Sequence, residues 1–357
     1  MFVITNREID TDGGAVTLST RFQPGAAQLR MVEVGRKNGG GYTVSGSADG
    51  IEDAEGVSRL SDVFAGPRPV LVYLHGNNNT PQDCFERCLR LQESYDVEVV
   101  GFSWPSEGRL ASGTDLPGLP AGPDEGGDTA EASFARSGTA PAGEGWAERK
   151  KRRYRQAKAN ALDSVDALAR SLRWLAAARL FSGQQPMTVA AHSLGSHLLQ
   201  HALPVDGFSA SLAAAQHVVL LAPCCRAAGH EAWLSQLHPR GRVFVTFHQS
   251  DSVLFAARIA DRDGDKLGAN PGSFLVSPSV RYVDFTGGMG GFLAHTYFVA
   301  AGGKKLAKVN RKLFARLFNG QADFSPGQGE GPRTVYPLGC SQDGSACHMG
   351  LPPFSEP

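Results

Sequence analysis

The sequence predicts an α/β fold, built on a mostly parallel, doubly wound sheet with helices on both faces. Three observations predict it. Short, almost wholly apolar runs recur along the chain, as strands buried on both faces require. Stretches with helical periodicity separate most of them, and that alternation fits parallel strands joined by crossover helices. The 357 residues are 41% hydrophobic and 20% charged, enough apolar material for a full core.

Residues 1–66 alternate short apolar pieces with Gly and Asp. Gln28-Leu29-Arg30-Met31-Val32-Glu33-Val34 reads as a strand, and Gly39-Gly40-Gly41 as the hairpin turn after it. No Lys-Ser/Thr follows those glycines, so they do not make a phosphate loop. This part is expected to be a β-rich extension packed on the core. The main domain spans 67–320. Its first strand is Val70-Leu71-Val72-Tyr73-Leu74, followed by helix-start signals in Thr80-Pro81-Gln82-Asp83: a capping Thr, Pro at the first helical position and an acid at the third. Further strands are expected at residues 97–102, 187–191, 217–221, 242–247 and 280–283. One long helix is expected from about 150 to 180, where Tyr154, Ala157, Ala161, Val165, Leu168, Leu172 and Leu175 recur at three- and four-residue steps. Residues 106–145 are rich in Gly, Pro, Ala, Ser and acids, and are expected to form a disordered or lid-like insertion. Residues 321–357 are read as a flexible C-terminal tail.

The formal net charge is zero, which argues against nucleic acid or an anionic membrane as partner. The basic run Arg149-Lys150-Lys151-Arg152-Arg153 is read as a solvated helix start. No apolar run reaches the roughly 20 residues of a transmembrane helix, and residues 1–10 lack a signal-peptide pattern. A cytoplasmic location is expected. The six cysteines, Cys84, Cys88, Cys224, Cys225, Cys340 and Cys347, match no zinc framework and are read as small apolar fillers. His197 and His201 stand four apart on one helix without the Glu of a zinc-hydrolase motif. Asp261-Arg262-Asp263-Gly264-Asp265 lacks the Gly and Glu that would complete a calcium loop. No metal or cofactor is expected.

A hydroxyl needs a base to take its proton and donors to hold a developing oxyanion. A strand that turns sharply into a helix, with small residues around a Ser at the tip, supplies much of this. Met187-Thr188-Val189-Ala190-Ala191 reads as such a strand, His192-Ser193-Leu194 as the turn and Gly195 to Gln200 as the helix. Ser193 is the candidate nucleophile. The Leu194 N–H at the helix start favours negative charge. The loop Leu74-His75-Gly76-Asn77-Asn78-Asn79-Thr80 is placed to add a second donor, with Asn77 and Gly76 as candidates. The base and acid should follow in the order Ser, acid, His. Of the two late histidines, His348 lies in the tail, whereas His295 ends the glycine-rich run Gly287-Gly288-Met289-Gly290-Gly291-Phe292-Leu293-Ala294. Asp251, directly after a strand, is the first choice of acid. Asp284 is the alternative, and Asp206 and Asp261 are less well placed. His75, Trp104 and His192 are candidate pocket residues, with Leu194 beside them.

At this point the chain resembles the α/β-hydrolases of the DUF900 type, a bacterial family of uncharacterised function. The matching residues are Tyr73-Leu74-His75-Gly76-Asn77-Asn78, Phe102-Ser103-Trp104-Pro105-Ser106, Tyr154 with the stretch from Ala159 to Leu168, and Ala191-His192-Ser193-Leu194-Gly195. Leu221-Ala222-Pro223, Ser250-Asp251, Arg281-Tyr282-Val283-Asp284 and His295-Thr296-Tyr297-Phe298 complete the match. The resemblance covers about residues 70–298. It implies an α/β-hydrolase fold with Ser193 as nucleophile, Asp251 as acid and His295 as base. Related sequences tend to carry Asp where this chain has Cys224, and the insertion after Ser106 is longer than the resemblance leads one to expect.

The expected activity is that of a serine hydrolase, acting on a small-molecule carboxylic ester through an acyl-enzyme. Two alternatives remain open: an acyltransferase using the same triad, and a non-catalytic binding or scaffold protein on the same fold. The sequence does not set the oligomeric state.

Overall fold

Buried parallel strands have few polar side chains, because both faces are covered and only the backbone hydrogen-bonds. This is what a computed structural model displays. It describes residues 1–12, 15–25, 29–37, 41–45, 54–117, 145–183, 185–287, 295–300, 306–321, 334–340 and 347–349. Strand β6 (Val70–Leu74), β8 (Met187–His192) and β9 (His217–Leu221) are buried at every position. With β7 (Glu98–Ser103), β10 (Arg242–Phe247) and β11 (Val280–Asp284) they run parallel in the order β11-β10-β9-β8-β6-β7. The chain belongs to the α/β class, as its sequence predicts.

The sheet is wider than expected. On one side β1 (Phe2–Thr5) lies parallel to β7, and β4 (Arg30–Arg36) and β5 (Tyr42–Ser45) follow it antiparallel. The N-terminal strands thus continue the core sheet. Only the hairpin of β2 (Arg7–Asp12) with β3 (Ala15–Phe22) forms a separate sheet among the described residues. The hairpin expected around Gly39 to Gly41 joins β4 to β5, although residues 38–40 lie outside the described residues. Helix α1 (Ala54–Ala65) also falls in the part read as β-rich. On the other side, the segment read as a flexible tail supplies β12 (Val335–Cys340), parallel to β11, and β13 (Cys347–Met349), antiparallel to β12. Tyr336 and Leu338 are buried, so burial holds this part of the tail. The rest of the tail lies outside the described residues, as do the side chains of Cys340 and Cys347.

Two groups of helices cover the sheet. Helix α2 (Pro81–Tyr95) packs on α9 (Lys308–Phe318). Helices α3 (Trp146–Asp163), α4 (Val165–Ser182), α5 (Leu194–Ala202) and α6 (Phe208–Leu212) form the other group, with α1 against α4 and α8 (Ser252–Asp261) against α3. A short helix, α7 (His230–Leu234), follows β9. The start of α2 obeys its sequence signals, because Thr80 and Asp83 form a reciprocal capping box with Pro81 in the first turn. The long helix expected from 150 to 180 is instead two. Ser164 (φ −98°, ψ 0°) interrupts it, with its hydroxyl donating to the Asn160 carbonyl at 2.7 Å while accepting from Asn6 Nδ2 at 2.9 Å. Such back-bonding competes with the helix ladder and bends it.

The segment expected to open the disordered insertion is tethered over its first twelve residues. Arg7 is buried and grips the Glu107 carboxylate with both terminal nitrogens, at 2.6 and 2.8 Å. Asn160 donates to the carbonyls of Pro105 and Arg109, and the Phe22 N–H donates to the Ala111 carbonyl. These polar ties replace the apolar surface that residues 106–117 lack. Residues 118–144 lie outside the described residues. Among the described residues, no helix is long and apolar enough to cross a membrane.

Candidate active site

Strand β8 delivers Ser193 to the carboxyl edge of the sheet, where α5 starts at once. The turn is so tight that Ser193 adopts φ 52°, ψ −118°, a conformation that side chains rarely tolerate. Backbone hydrogen bonds hold it there. The Ser193 N–H donates to the Leu221 carbonyl at 2.9 Å, and the Ser193 carbonyl accepts from the N–H groups of Cys224 and Ser196, both at 3.0 Å. Two glycines make room. A Cβ on Gly195 would sit 2.7 Å from the carbonyl oxygens of Leu74 and His75. One on Gly76 would sit 2.9 Å from Ser193 Cβ. The 74–80 loop therefore lies directly on the serine.

That loop is fixed from below. Ser106 accepts the Asn78 N–H on its carbonyl at 2.8 Å and the Asn79 N–H on its hydroxyl at 3.0 Å. Asn79 Nδ2 donates to the Asn77 carbonyl at 2.8 Å. Among the described residues no acceptor takes the N–H of Asn77. Leu194, as the first residue of α5, has no intrahelical acceptor for its own N–H. The two backbone donors expected from the sequence thus stand on the two segments that flank Ser193.

Asp251 lies in the turn after β10 and caps α8. Its Oδ1 accepts the Leu254 N–H at 2.9 Å, and its Oδ2 accepts from His295 Nδ1 at 2.7 Å. That bond places the His295 proton on Nδ1 and leaves Nε2 as the basic nitrogen. The alternative acid, Asp284, is adjacent in the sheet but turns its Oδ1 to the Thr286 N–H at 2.8 Å. The His295 ring centroid lies 4.7 Å from that of His192, the residue before Ser193, and His192 Nε2 donates to the His295 carbonyl at 3.2 Å. Ser193, Asp251 and His295 are each 3% exposed or less. All of the glycine run expected to carry His295 except Gly287, residues 288–294, lies outside the described residues.

The three expected pocket residues have different duties. His75 Nε2 accepts the Trp104 N–H at 3.1 Å, so its proton sits on Nδ1 and is donated to the Gly76 carbonyl at 3.0 Å. The two rings stack at 5.4 Å and 4°, and Trp104 Nε1 returns a hydrogen bond to the His75 carbonyl at 3.0 Å. Both are fully buried, with every side-chain polar atom hydrogen-bonded, and together they brace the loop. His192 alone of the three contacts a member of the candidate catalytic set.

Burial pushes His75 down to about 3 and His197 to about 3, and it pushes His192 well below the usual histidine range, helped by neighbouring His295. Each binds its proton less readily folded than unfolded, so the unfolded chain gains protons first as pH falls below about 6.5. Stability is full above that pH and is lost on acidification. The melting temperature is expected to fall already between about pH 6.5 and 5, above the carboxylate range. A flat profile down to pH 5 contradicts this burial account.

Three sets of contacts were not anticipated from the sequence. The Arg7–Glu107 pair joins residues a hundred positions apart, and nothing local announces it. Tyr297 inserts its hydroxyl between Ala222 N (3.2 Å) and Thr246 Oγ1 (2.7 Å), contacts that its place in the matching stretch His295-Thr296-Tyr297-Phe298 did not announce. The acidic turn at 261–265 is folded around Lys266, whose ammonium meets Asp261 and Asp263. Cys84, Cys88, Cys224 and Cys225 are buried free thiols. Among the described residues, no group of three or more His, Cys, Asp or Glu side chains is arranged to hold a metal.

The sequence model of the family described as "Alpha/beta hydrolase of unknown function (DUF900)" matches residues 62–302, about two-thirds of the chain. That span contains Ser193, Asp251 and His295 together with β6 to β11 and α2 to α8. No curated protein matches the chain.

Proposed function

This chain belongs to the DUF900 family of alpha/beta hydrolases, and from that premise we propose that it is a serine hydrolase cleaving a carboxylic ester through Ser193, His295 and Asp251. The observation that carries the proposal is the 2.7 Å hydrogen bond from His295 to Asp251, with the His295 ring against His192, the residue before a serine held in a strained strand-to-helix turn. A buried carboxylate on Nδ1 fixes the tautomer in which Nε2 is a base, and it stabilises the imidazolium once a proton arrives.

In the proposed reaction the Ser193 Oγ attacks the ester carbonyl and passes its proton to His295 Nε2. The tetrahedral oxyanion is held by the N–H groups of Leu194 and Asn77. Its collapse breaks the bond to the alkoxy group, which takes the proton from His295 and leaves as the alcohol. Water then gives its proton to the same nitrogen, attacks the acyl-enzyme and releases the carboxylic acid and Ser193. Ser193, Asp251 and His295 are all buried, so these charges develop in a medium where fixed donors act strongly.

A panel of p-nitrophenyl esters of graded acyl length tests the reading. Hydrolysis with a burst of p-nitrophenol stoichiometric with enzyme is expected for at least one member. A purified, folded chain inert toward the whole panel contradicts it. Gly76 gives a more local test. Because an added Cβ would approach Ser193 Cβ to 2.9 Å, Gly76→Ala should displace the loop or the serine and lower kcat by about 10–100-fold. Unchanged kcat would show that the loop's approach is immaterial.

A further inference from the structure

Beyond the three residues of the proposed triad lies a buried polar chain of Cys224, Tyr154, Asp261 and Lys266. Cys224 follows the segment that wraps Ser193, and its N–H holds the Ser193 carbonyl at 3.0 Å. Its sulfur lies 3.3 Å from the Tyr154 hydroxyl on α3. That hydroxyl lies 2.8 Å from Asp261 Oδ2. An ionised carboxylate only accepts, so the Tyr154 proton points to Asp261 and the Cys224 thiol donates to the Tyr154 oxygen. Lys266, 1% exposed, meets Asp261 at 2.5 Å and Asp263 at 2.7 Å, and Lys158 meets the other oxygen of Asp261 at 3.0 Å.

Two further facts give this chain direction. Asp261 is the last residue of α8, and Asp251 is the cap at the other end of that ten-residue helix. The segment carrying Lys266 also lies on the segment carrying Cys224. Leu267 N–H donates to the Cys225 carbonyl at 2.8 Å and Gly268 N–H to the Pro223 carbonyl at 2.9 Å. They touch so closely that a Cβ on Gly268 would fall 2.4 Å from the Ala222 carbonyl carbon. Ala222 itself is held at φ 44°. The strained segment behind Ser193 and the helix that carries Asp251 are thus joined at Cys224, Tyr154 and Asp261.

We propose that Tyr154, Cys224, Asp261 and Lys266 are positioning residues that set the distance between the nucleophile turn and the acid-bearing helix. The proposal rests on the Ser193–His295–Asp251 reading. None of the four touches the substrate. They act through Cys224 N–H on the Ser193 backbone and through α8 on Asp251. Burial pushes the Cys224 thiol up to about 11, so it keeps its proton at neutral pH and can serve as the donor to Tyr154.

A double-mutant cycle on the ester that the wild type hydrolyses best tests this, with melting temperature recorded for every variant. Tyr154→Phe and Cys224→Ala each remove one polar group while keeping most of the packing. Each is expected to lower kcat about tenfold with KM nearly unchanged. The double variant should be no slower than the slower single one, because both cut the same connection. Cys224→Ser, which keeps a donor, should retain most of the wild-type kcat. Wild-type kcat in Tyr154→Phe or Cys224→Ala, whatever the melting temperature, overturns the proposal, as do losses that multiply in the double variant. If Cys224→Ala fails to fold, Tyr154→Phe against Cys224→Ser decides: the first should be slow and the second near wild type. A wild type inert toward esters and toward a fluorophosphonate overturns the triad reading itself, an outcome distinct from an active wild type with indifferent variants.

Discussion

Ser193→Ala is expected to lower kcat for ester hydrolysis by about 10⁴-fold or more, with no loss of folded protein. In the proposed mechanism the Ser193 hydroxyl oxygen forms the acyl-enzyme, and nothing else on the turn can replace it. The turn survives because it depends on backbone contacts to Leu221, Cys224 and Ser196, which alanine retains. A serine held at φ 52° costs stability, and alanine there meets the same strain, so the two proteins should melt at nearly the same temperature. Steady-state kinetics and a thermal melt on the same preparations give both answers. A variant within tenfold of wild type would exclude Ser193 as nucleophile.

Asp251→Asn is expected to lower kcat by about 10³–10⁴-fold, because an amide in that place favours the wrong tautomer of His295 and cannot stabilise its cation. Asparagine isolates this effect. It caps helices as well as aspartate does, so the contact with the Leu254 N–H and the start of α8 should persist. Asp284→Asn, one strand away, should leave kcat close to wild type, since its carboxylate serves the Thr286 N–H. The comparison is informative because Asp284 ends β11 and Asp251 lies in the turn just past Phe247, the end of β10 that pairs with Asp284. A larger loss from Asp284→Asn would reverse the assignment of the acid.

Much of the framework was legible because buried parallel strands are read from apolar runs alone. Strands β6, β8, β9 and β10 sit within a residue of where those runs place them. Thr80, Pro81 and Asp83 announced the start of α2 through chemistry that operates within one turn. Ser193 was visible for a similar local reason, a small-residue turn between an apolar strand and a helix. Asp251 and His295 were chosen by chain order, and the structure joins them across 44 positions. What escaped depends on distant partners. Strand β12 contains Pro337, which weakens a strand signal, and it exists because β11 offers an edge to pair with. Residues 106–117 look unable to fold until Arg7 and Asn160 arrive from far away. His75 and Trp104 stand 29 positions apart, and only the stacked geometry reveals that they brace each other.

In the proposed enzyme a single hydroxyl, on Ser193, is made nucleophilic by its surroundings. Incubating the 357-residue protein with a fluorophosphonate, then locating the adduct by peptide mass spectrometry, is the decisive measurement. One adduct is expected, on the peptide that carries Ser193, abolished in Ser193→Ala and strongly slowed in Asp251→Asn. A folded protein that takes up no probe, or takes it up on another residue, would contradict the account.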